Sequence, residues 1–341
     1  MRFGIIGCGR IVPEHLRAIH EHESATLVAC ADIDVSRAQH VSGQTGCEAY
    51  DDYRTMLSSH PEIDVACILT PSGLHPEQAI DVMERFGRTV IVEKPMALDP
   101  ADADRMIACA RTAGVRLFVV KQNRYNLPVV RLREAVDAGR FGRIFMGTVR
   151  VRWMRDQAYY DLADWRGTHR LDGGVLSNQA IHHLDLLLWM LGDPVSVYAR
   201  TERYLVDIEA EDTAVAVVKF ASGATGVIEA TTACRPDDLE GSLSVLGECG
   251  TVEIAGIAVN TLRTWRFIDS APDEESRLKA ELAEAPKNVY GFGHARYLRA
   301  VIDSIEHDVP GAVDGQEGRR SIELLHAIYE SARVGAEVTL G

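Results

Sequence analysis

The chain has 341 residues, 46% of them hydrophobic, and a formal net charge of −14. That length suits two domains with real cores, and the charge, with no basic run, excludes nucleic acid and anionic membrane as expected partners while leaving room for an anionic small substrate at a local arginine cluster. No apolar run approaches the ~20 residues of a membrane span. The seven cysteines form no Cys-x-x-Cys pair, so a zinc site or disulfide framework is not expected, and the thiols read as reduced, in a cytoplasm.

The N-terminus enters a strand at once, over residues 2–6, and shows no signal-peptide pattern. Gly7-Cys8-Gly9-Arg10-Ile11-Val12 then forms a turn before a helix over 13–19, Pro13 fitting its first turn. Strand, glycine turn, helix is the context a dinucleotide fingerprint needs. Gly7 permits the tight turn, and Gly9 lets backbone approach a pyrophosphate at the helix N-terminus. Val12 stands where the third glycine of the motif belongs, so the fingerprint is incomplete. Residues 27–31 read as a second strand closed by Asp32, 25 residues after Gly7. That is near the spacing of a carboxylate accepting from an adenosine ribose, the plainer reading being a helix N-cap. Turn and acid together point to NAD. Arg37, which could meet a 2′-phosphate instead, is expected to face solvent.

A strand over 63–69 ends in Thr70-Pro71-Ser72-Gly73-Leu74-His75, and a helix over 76–86 follows. Residues 89–92 are a β-branched apolar run without alternation, the pattern of a buried parallel strand. Glu93-Lys94-Pro95 ends it, because Pro95 cannot donate to a ladder. Glu93 and Lys94 therefore fall at the carboxyl end of a strand, where open α/β sheets hold ligands. A partly desolvated lysine there can act as acid or base, a surface ion pair being the plainer reading. A helix over 100–113 and a strand over 115–120 complete an alternation that predicts a doubly wound parallel sheet over residues 1–121.

Gly7-x-Gly9, Asp32, Thr70-Pro71 with His75, and Glu93-Lys94-Pro95 together resemble the Gfo/Idh/MocA family of NAD(P)-dependent sugar oxidoreductases, over nearly the whole chain. Glu-Lys-Pro is the specific part. The resemblance implies an N-terminal Rossmann domain, then an α/β domain over 122–341 built on a large, mostly antiparallel sheet, the last helix being a candidate to pack back on the first domain. It implies Lys94 as a catalytic-site residue, Pro95 in cis, and no metal. The cofactor contacts expected are the turn from Gly7 to Ile11 with Cys8 and Arg10, then Asp32, Thr70, Pro71 and His75, then Glu93 with Lys94, and from the second domain Gln122, Trp165 and Arg166.

The second domain opens on Lys121-Gln122-Asn123-Arg124-Tyr125-Asn126, six consecutive hydrogen-bonding side chains. A solvated loop is the plain reading. A surface for a polyhydroxylated or charged ligand is preferred, with Lys121, Gln122, Asn123, Arg124 and Tyr125 as substrate contacts. A helix over 128–138 and a strand over 143–152 follow, then a loop over 159–170. Trp165-Arg166 before the Gly173-Gly174 doublet matches the family pattern bordering the active site, which adds Arg166 to the substrate set. A helix over 177–191 places Asn178, His182 and Asp185 on one face. No third ligand cluster accompanies His182 and His183, so a metal pair is ranked low. His182 occupies the family's catalytic histidine position. Asn178, a substrate contact in this reading, stands where many sugar and inositol dehydrogenases carry Asp. That leaves Lys94 and His182 to handle the proton, a pattern similar to the branch that oxidises the 3-hydroxyl of UDP-N-acetylglucosamine-type sugars.

Residues 194–267 alternate apolar and polar between glycines, as antiparallel strands with one outward face do. In the family this sheet usually pairs subunits, which implies a homodimer or homotetramer. Residues 269–286 read as a charged helical excursion or loop. Tyr290 and His294, opening a helix over 294–305, are further site candidates, Tyr290 toward substrate, and a helix over 315–333 packs last. The expected activity is NAD-dependent oxidation of a nucleotide sugar at C3 to the 3-keto sugar. The alternatives are a myo-inositol or free-hexose dehydrogenase, against which Asn178 counts, and a non-catalytic NAD-binding regulator, against which Lys94 and His182 count.

Overall fold

The structure, a computed structural model, describes residues 1–283, 292–310 and 312–340. The chain divides into two compact units: Met1–Lys121 with His294–Ile322, and Gln122–Gly293 with Glu323–Gly341. In the first, β1 (Arg2–Ile6), α1 (Val12–His20), β2 (Thr26–Ala31), α2 (Val35–Thr45), β3 (Glu48–Tyr50), α3 (Tyr53–Ser59), β4 (Val65–Ile68), α4 (His75–Phe86), β5 (Thr89–Val92), α5 (Pro100–Ala113) and β6 (Leu117–Val119) follow one another. The six strands form a parallel sheet in the order β3-β2-β1-β4-β5-β6.

Local chemistry sets the element ends. Asp34, Asp52 and Asp99 cap α2, α3 and α5 by accepting backbone N–H bonds. Gly87 takes a positive φ of 61° to close α4. β4 is buried along its length and β5 from Val90 on, as parallel strands between helical layers are. Register aligns the carboxyl ends: Ile6 pairs with Ala31 and with Ile68, and Ile68 pairs with Val92. Gly7, Asp32, Leu69 and Glu93 therefore follow at one edge of the sheet, where such folds bind ligands.

In the second unit come α6 (Leu127–Asp137), β7 (Ile144–Arg152), the short α7 (Gln157–Tyr160), α8 (Ile181–Leu191), β8 (Pro194–Glu202), β9 (Thr213–Phe220), β10 (Thr225–Thr231), β11 (Glu240–Gly247), β12 (Gly250–Ala255), β13 (Thr261–Phe267) and α9 (Glu274–Glu281). Then α10 (Gly293–Glu306), α11 (Gly315–Val334) and β14 (Val338–Thr339) follow. His294–Ile322, which the sequence reading left largely with the second domain, clusters with the first unit. An eight-stranded sheet runs β13-β12-β11-β7-β10-β9-β8-β14, parallel between β7 and β10 and antiparallel at its other pairings. α8 packs on one face, where Gly147 and Gly226 are register partners. A Cβ at Gly147 would lie 2.7 Å from Leu191 and 3.0 Å from Leu187, so glycine is what lets the helix come down. The other face alternates outward, leaving Val215 and Val217 of β9 48% and 47% exposed.

The helix expected over 177–191 is two pieces. Val175–Gln179 is a π turn, closed by Ala180 N–H donating to Val175 O at 2.8 Å, and α8 starts only at Ile181. The loop expected over 159–170 begins inside α7. No described helix is long and apolar enough to cross a membrane.

Candidate active site

At the edge of the parallel sheet, Gly7 has φ of 94°, and a Cβ there would meet Leu69 and Thr70 at 2.9 Å. The position admits only glycine. Gly9 faces open space: a Cβ on it would have nothing within 4 Å. Ile11, the N-cap of α1, makes no side-chain cap, and the first turn bonds back on its own entry, Val12 N–H donating to Gly9 O at 3.2 Å and Glu14 N–H to Ile11 O at 3.0 Å. Cys8 N–H donates to Asp32 Oδ2 at 2.7 Å and Asp34 N–H to Oδ1 at 2.9 Å. The side chain is thus aimed, with lone pairs to spare. Further along the turn Arg10 is exposed and Ile11 half-buried. An open glycine before a helix and an oriented acid fit a dinucleotide.

Glu93, Lys94 and Pro95 follow β5, and the Lys94–Pro95 peptide is cis, as the resemblance implied. Glu93 is buried. Its Oε1 lies 2.8 Å from His15 Nε2 and its Oε2 accepts the Lys94 N–H at 3.1 Å. Burial pushes the carboxyl up, but the His15 hydrogen bond and the charges of His15, His294 and Lys94 outweigh it and hold it at about 2. His75 is fully buried, with Nδ1 2.8 Å from Pro95 O and Nε2 2.8 Å from Thr70 O. Burial lowers its pKa against the pull of those carbonyls. His75 has both ring nitrogens on backbone carbonyls and ties the Thr70-Pro71 corner to Pro95, while Glu93 turns inward to histidine. Thr70 Oγ1 contacts Gln78 at 2.5 Å, and Pro71 leads the 3-10 turn Ser72–Leu74.

The polar run after β6 is not a solvated loop: Lys121, Gln122, Asn123, Arg124 and Asn126 are all buried. Lys121 Nζ donates to Ser321 at 2.7 Å. Arg124 grips Asp185 of α8 through two bonds of 2.7 Å, a bidentate pair of the strong kind. Asn126 donates to Ala258 O and Val259 O. Lys121 and Arg124 thus tie the run to α11 and α8. Gln122 Nε2 lies 3.0 Å from His182 Nε2 and donates to it when the ring proton is on Nδ1. Burial lifts the Tyr125 phenol to about 12 and drops the neighbouring His183 to about 3, so His183 stays neutral.

Asn178 sits on the π turn, not on α8. Its amide donates to Asp172 and its Oδ1 accepts from Gln179 at 2.9 Å. Asp172, buried beside the glycine doublet, also accepts the Gly167 N–H at 2.7 Å. Asp172 therefore places a carboxylate beside Asn178. Arg166 donates to the Tyr159 hydroxyl at 2.7 Å and lies 4.5 Å over the rings of both Tyr159 and Trp165. It lines an open cleft of about 370 Å³ with Asp161, Asp164 and Arg203. Tyr290 lies outside the described residues. The sequence reading missed His15, a lone histidine on a helix face, and Asp172, whose only signal was its place before the doublet.

Residues 1–121 match the model of the oxidoreductase family with the NAD-binding Rossmann fold, and residues 133–340 match that family's C-terminal α/β domain. The chain belongs to the Gfo/Idh/MocA oxidoreductase family. It is an NAD-dependent enzyme. Among solved structures it is similar to the WlbA dehydrogenase from Bordetella pertussis in complex with NADH and UDP-GlcNAcA, 43% identical, covering 100% of this chain and 98% of that one, with TM-score 0.92. The WlbA dehydrogenase of Chromobacterium violaceum, in complex with the same two molecules, is 40% identical over 100% of this chain and 96% of that one, with TM-score 0.93. An inositol 2-dehydrogenase of Rhizobium meliloti is 31% identical, covering 100% of this chain and 99% of its own.

Proposed function

We propose that this chain oxidises the 3-hydroxyl of a UDP-linked N-acetylated sugar to the 3-keto sugar. The observation that carries it is the 43% identity, over the full chain, to a dehydrogenase complexed with NADH and UDP-GlcNAcA, against 31% to an inositol dehydrogenase. When bound, NAD supplies the hydride acceptor. An alcohol releases hydride readily only as its proton departs. In this reading His182 takes that proton, and Lys94 Nζ stabilises the forming alkoxide by its charge. Arg166, braced by Tyr159 and Trp165, and Asn178, braced by Asp172, contact the substrate, with Gln122, Asn123 and Tyr125 beside them. The outward face of the eight-stranded sheet pairs subunits, and the seven free cysteines suit a cytoplasmic enzyme.

The test is NADH formation with UDP-GlcNAcA, UDP-GlcNAc, myo-inositol and glucose, followed by mass spectrometry of the product. Turnover of the UDP sugars with a C3 ketone is expected. Inositol or glucose turnover without response to either UDP sugar, or a ketone at C4, overturns the assignment.

A further inference from the structure

Behind Lys94 lies a buried group of side chains that the reaction itself leaves without a role. Glu93 Oε1 is 2.8 Å from His15 Nε2 and 3.9 Å from His294 Nε2. The two rings meet edge to face, centroids 5.6 Å apart, and all three residues are under 9% exposed. An ionised carboxylate only accepts, so the proton between Glu93 and His15 is on Nε2. The other oxygen, Oε2, accepts the N–H of Lys94. One buried anion is therefore pinned by a helix-borne histidine on one side and holds the catalytic-strand peptide on the other. A surface lysine would need none of this, and burying a charge is costly unless it is partnered.

We propose that Glu93, held by His15 with His294 alongside, is a positioning residue that fixes the peptide from which Lys94 springs and supplies the negative charge that the Lys94 side chain feels. This rests on the reading of Lys94 as the charged partner of the alkoxide. The titratable and charged groups facing the pair are His15 and Arg17 from α1, Cys67 from β4, His75 from α4 and His294 from α10. Their signs differ, so the effect of each change has a direction. Removing the Glu93 charge removes what favours the ammonium, and the Lys94 midpoint falls. Removing the His15 donor while leaving the carboxylate charged exposes Lys94 to a less compensated anion, and the midpoint rises.

The chain has only five lysines: Lys94, Lys121, Lys219, Lys279 and Lys287. Reductive ¹³C-methylation therefore gives few NMR signals, and Lys94→Met assigns the one of interest. Glu93→Gln should lower the Lys94 midpoint by about one pH unit, the scale of a single nearby charge, His15→Asn should raise it, and Glu93→Asp should restore it. With UDP-GlcNAcA and NAD, Glu93→Gln and His15→Asn should lower kcat about 10-fold or more while the KM for NAD stays within about 2-fold, the pattern of a lost transition-state contribution. A midpoint that stays put in both variants, or moves the same way in both, overturns the proposal even if kcat falls. The titration needs no substrate, so a wrong substrate assignment leaves it readable. If Glu93→Gln does not fold, the rise in His15→Asn decides.

Discussion

The two sheets bury their strands by different rules. In the parallel sheet β4 and β5 are apolar on both sides, and Val65, Ile68, Val90 and Ile91 have no exposure at all. In the mixed sheet β9 reads in and out, Ala216 and Val218 buried, Val215 and Val217 half exposed. The difference follows from what covers them. Helices close both faces of a parallel sheet, so its strands serve to fix the residues at their carboxyl ends. The mixed sheet keeps one face under α8 and offers the other outward. The buried carboxyls differ in the same sense: Glu93 is held ionised by His15, whereas Glu211, before β9, lies against the Leu176 N–H and the Tyr329 hydroxyl at 3.0 Å each.

The largest effect expected is in the parallel core. Ile91→Ala should cost about 2–5 kcal/mol, the transfer loss plus an uncollapsed cavity, independent of protein concentration in urea unfolding. Val217→Ala should shift single-chain unfolding by less than about 0.5 kcal/mol, while Val217→Lys should move the sedimenting species toward monomer. A core-sized, concentration-independent cost at Val217 would break the contrast between the sheets.

Glu211 sharpens it. Burial raises its carboxyl from 4.5 to about 7, against the Leu176 and Tyr329 hydrogen bonds, and Asp212 adds to the rise. The folded chain then keeps a proton that the unfolded chain releases above about pH 4.5. Stability contributed by this group is present below that pH, is lost as pH rises toward about 7, and then levels off, with about 3 kcal/mol at stake. Glu211→Gln should flatten Tm against pH across that window. An unchanged slope would mean that Glu211 is ionised throughout. Glu93, held at about 2, gives the opposite trend, with stability lost only as pH falls toward that value from the ordinary carboxyl range.

Much of the first unit was legible because its signals are local. Apolar runs, the glycine turn, Asp32 and Glu93-Lys94-Pro95 each sit at a strand end, and parallel register lines those ends up. The second unit hides more. A period of 3.6 does not reveal the extra residue that makes Val175–Gln179 a π turn, so Asn178 appeared to share a helix with His182. Six polar residues after β6 read as a ligand surface because Asp185, the partner of Arg124, is 61 residues away. A lone histidine on α1 gives no hint that it meets Glu93, 78 residues on.

Next in size is the proton chemistry. Lys94→Met and His182→Gln should each lower kcat by ~100-fold, about 2.7 kcal/mol, the scale of a lost acid–base or oxyanion partner. If both act on one proton, the double variant should be barely worse than the worse single one. Full-rate turnover in His182→Gln would remove it as the base, and additive losses would separate the two roles.

The smallest effect expected is at the sheet edge that carries Asp32. Asp32 is already oriented by the N–H groups of Cys8 and Asp34, and in the proposed reading its remaining lone pairs face the ribose. A 2′-hydroxyl can donate to it, whereas a 2′-phosphate meets like charge at contact distance. Arg37, which might have answered that phosphate, is engaged with Asp34 at 3.3 Å on an exposed helix start. NAD should therefore exceed NADP in kcat/KM. Asp32→Ala should narrow the gap by roughly 10-fold, about 1.4 kcal/mol, chiefly by raising the KM for NAD. The carboxylate also joins the turn to the end of β2, so Asp32→Asn is the informative companion. It keeps an acceptor for Cys8 N–H and loses the charge. Relaxed selectivity in Asp32→Asn with unchanged Tm would assign the preference to charge, whereas equal use of NADP by the unaltered enzyme would end the argument for Asp32.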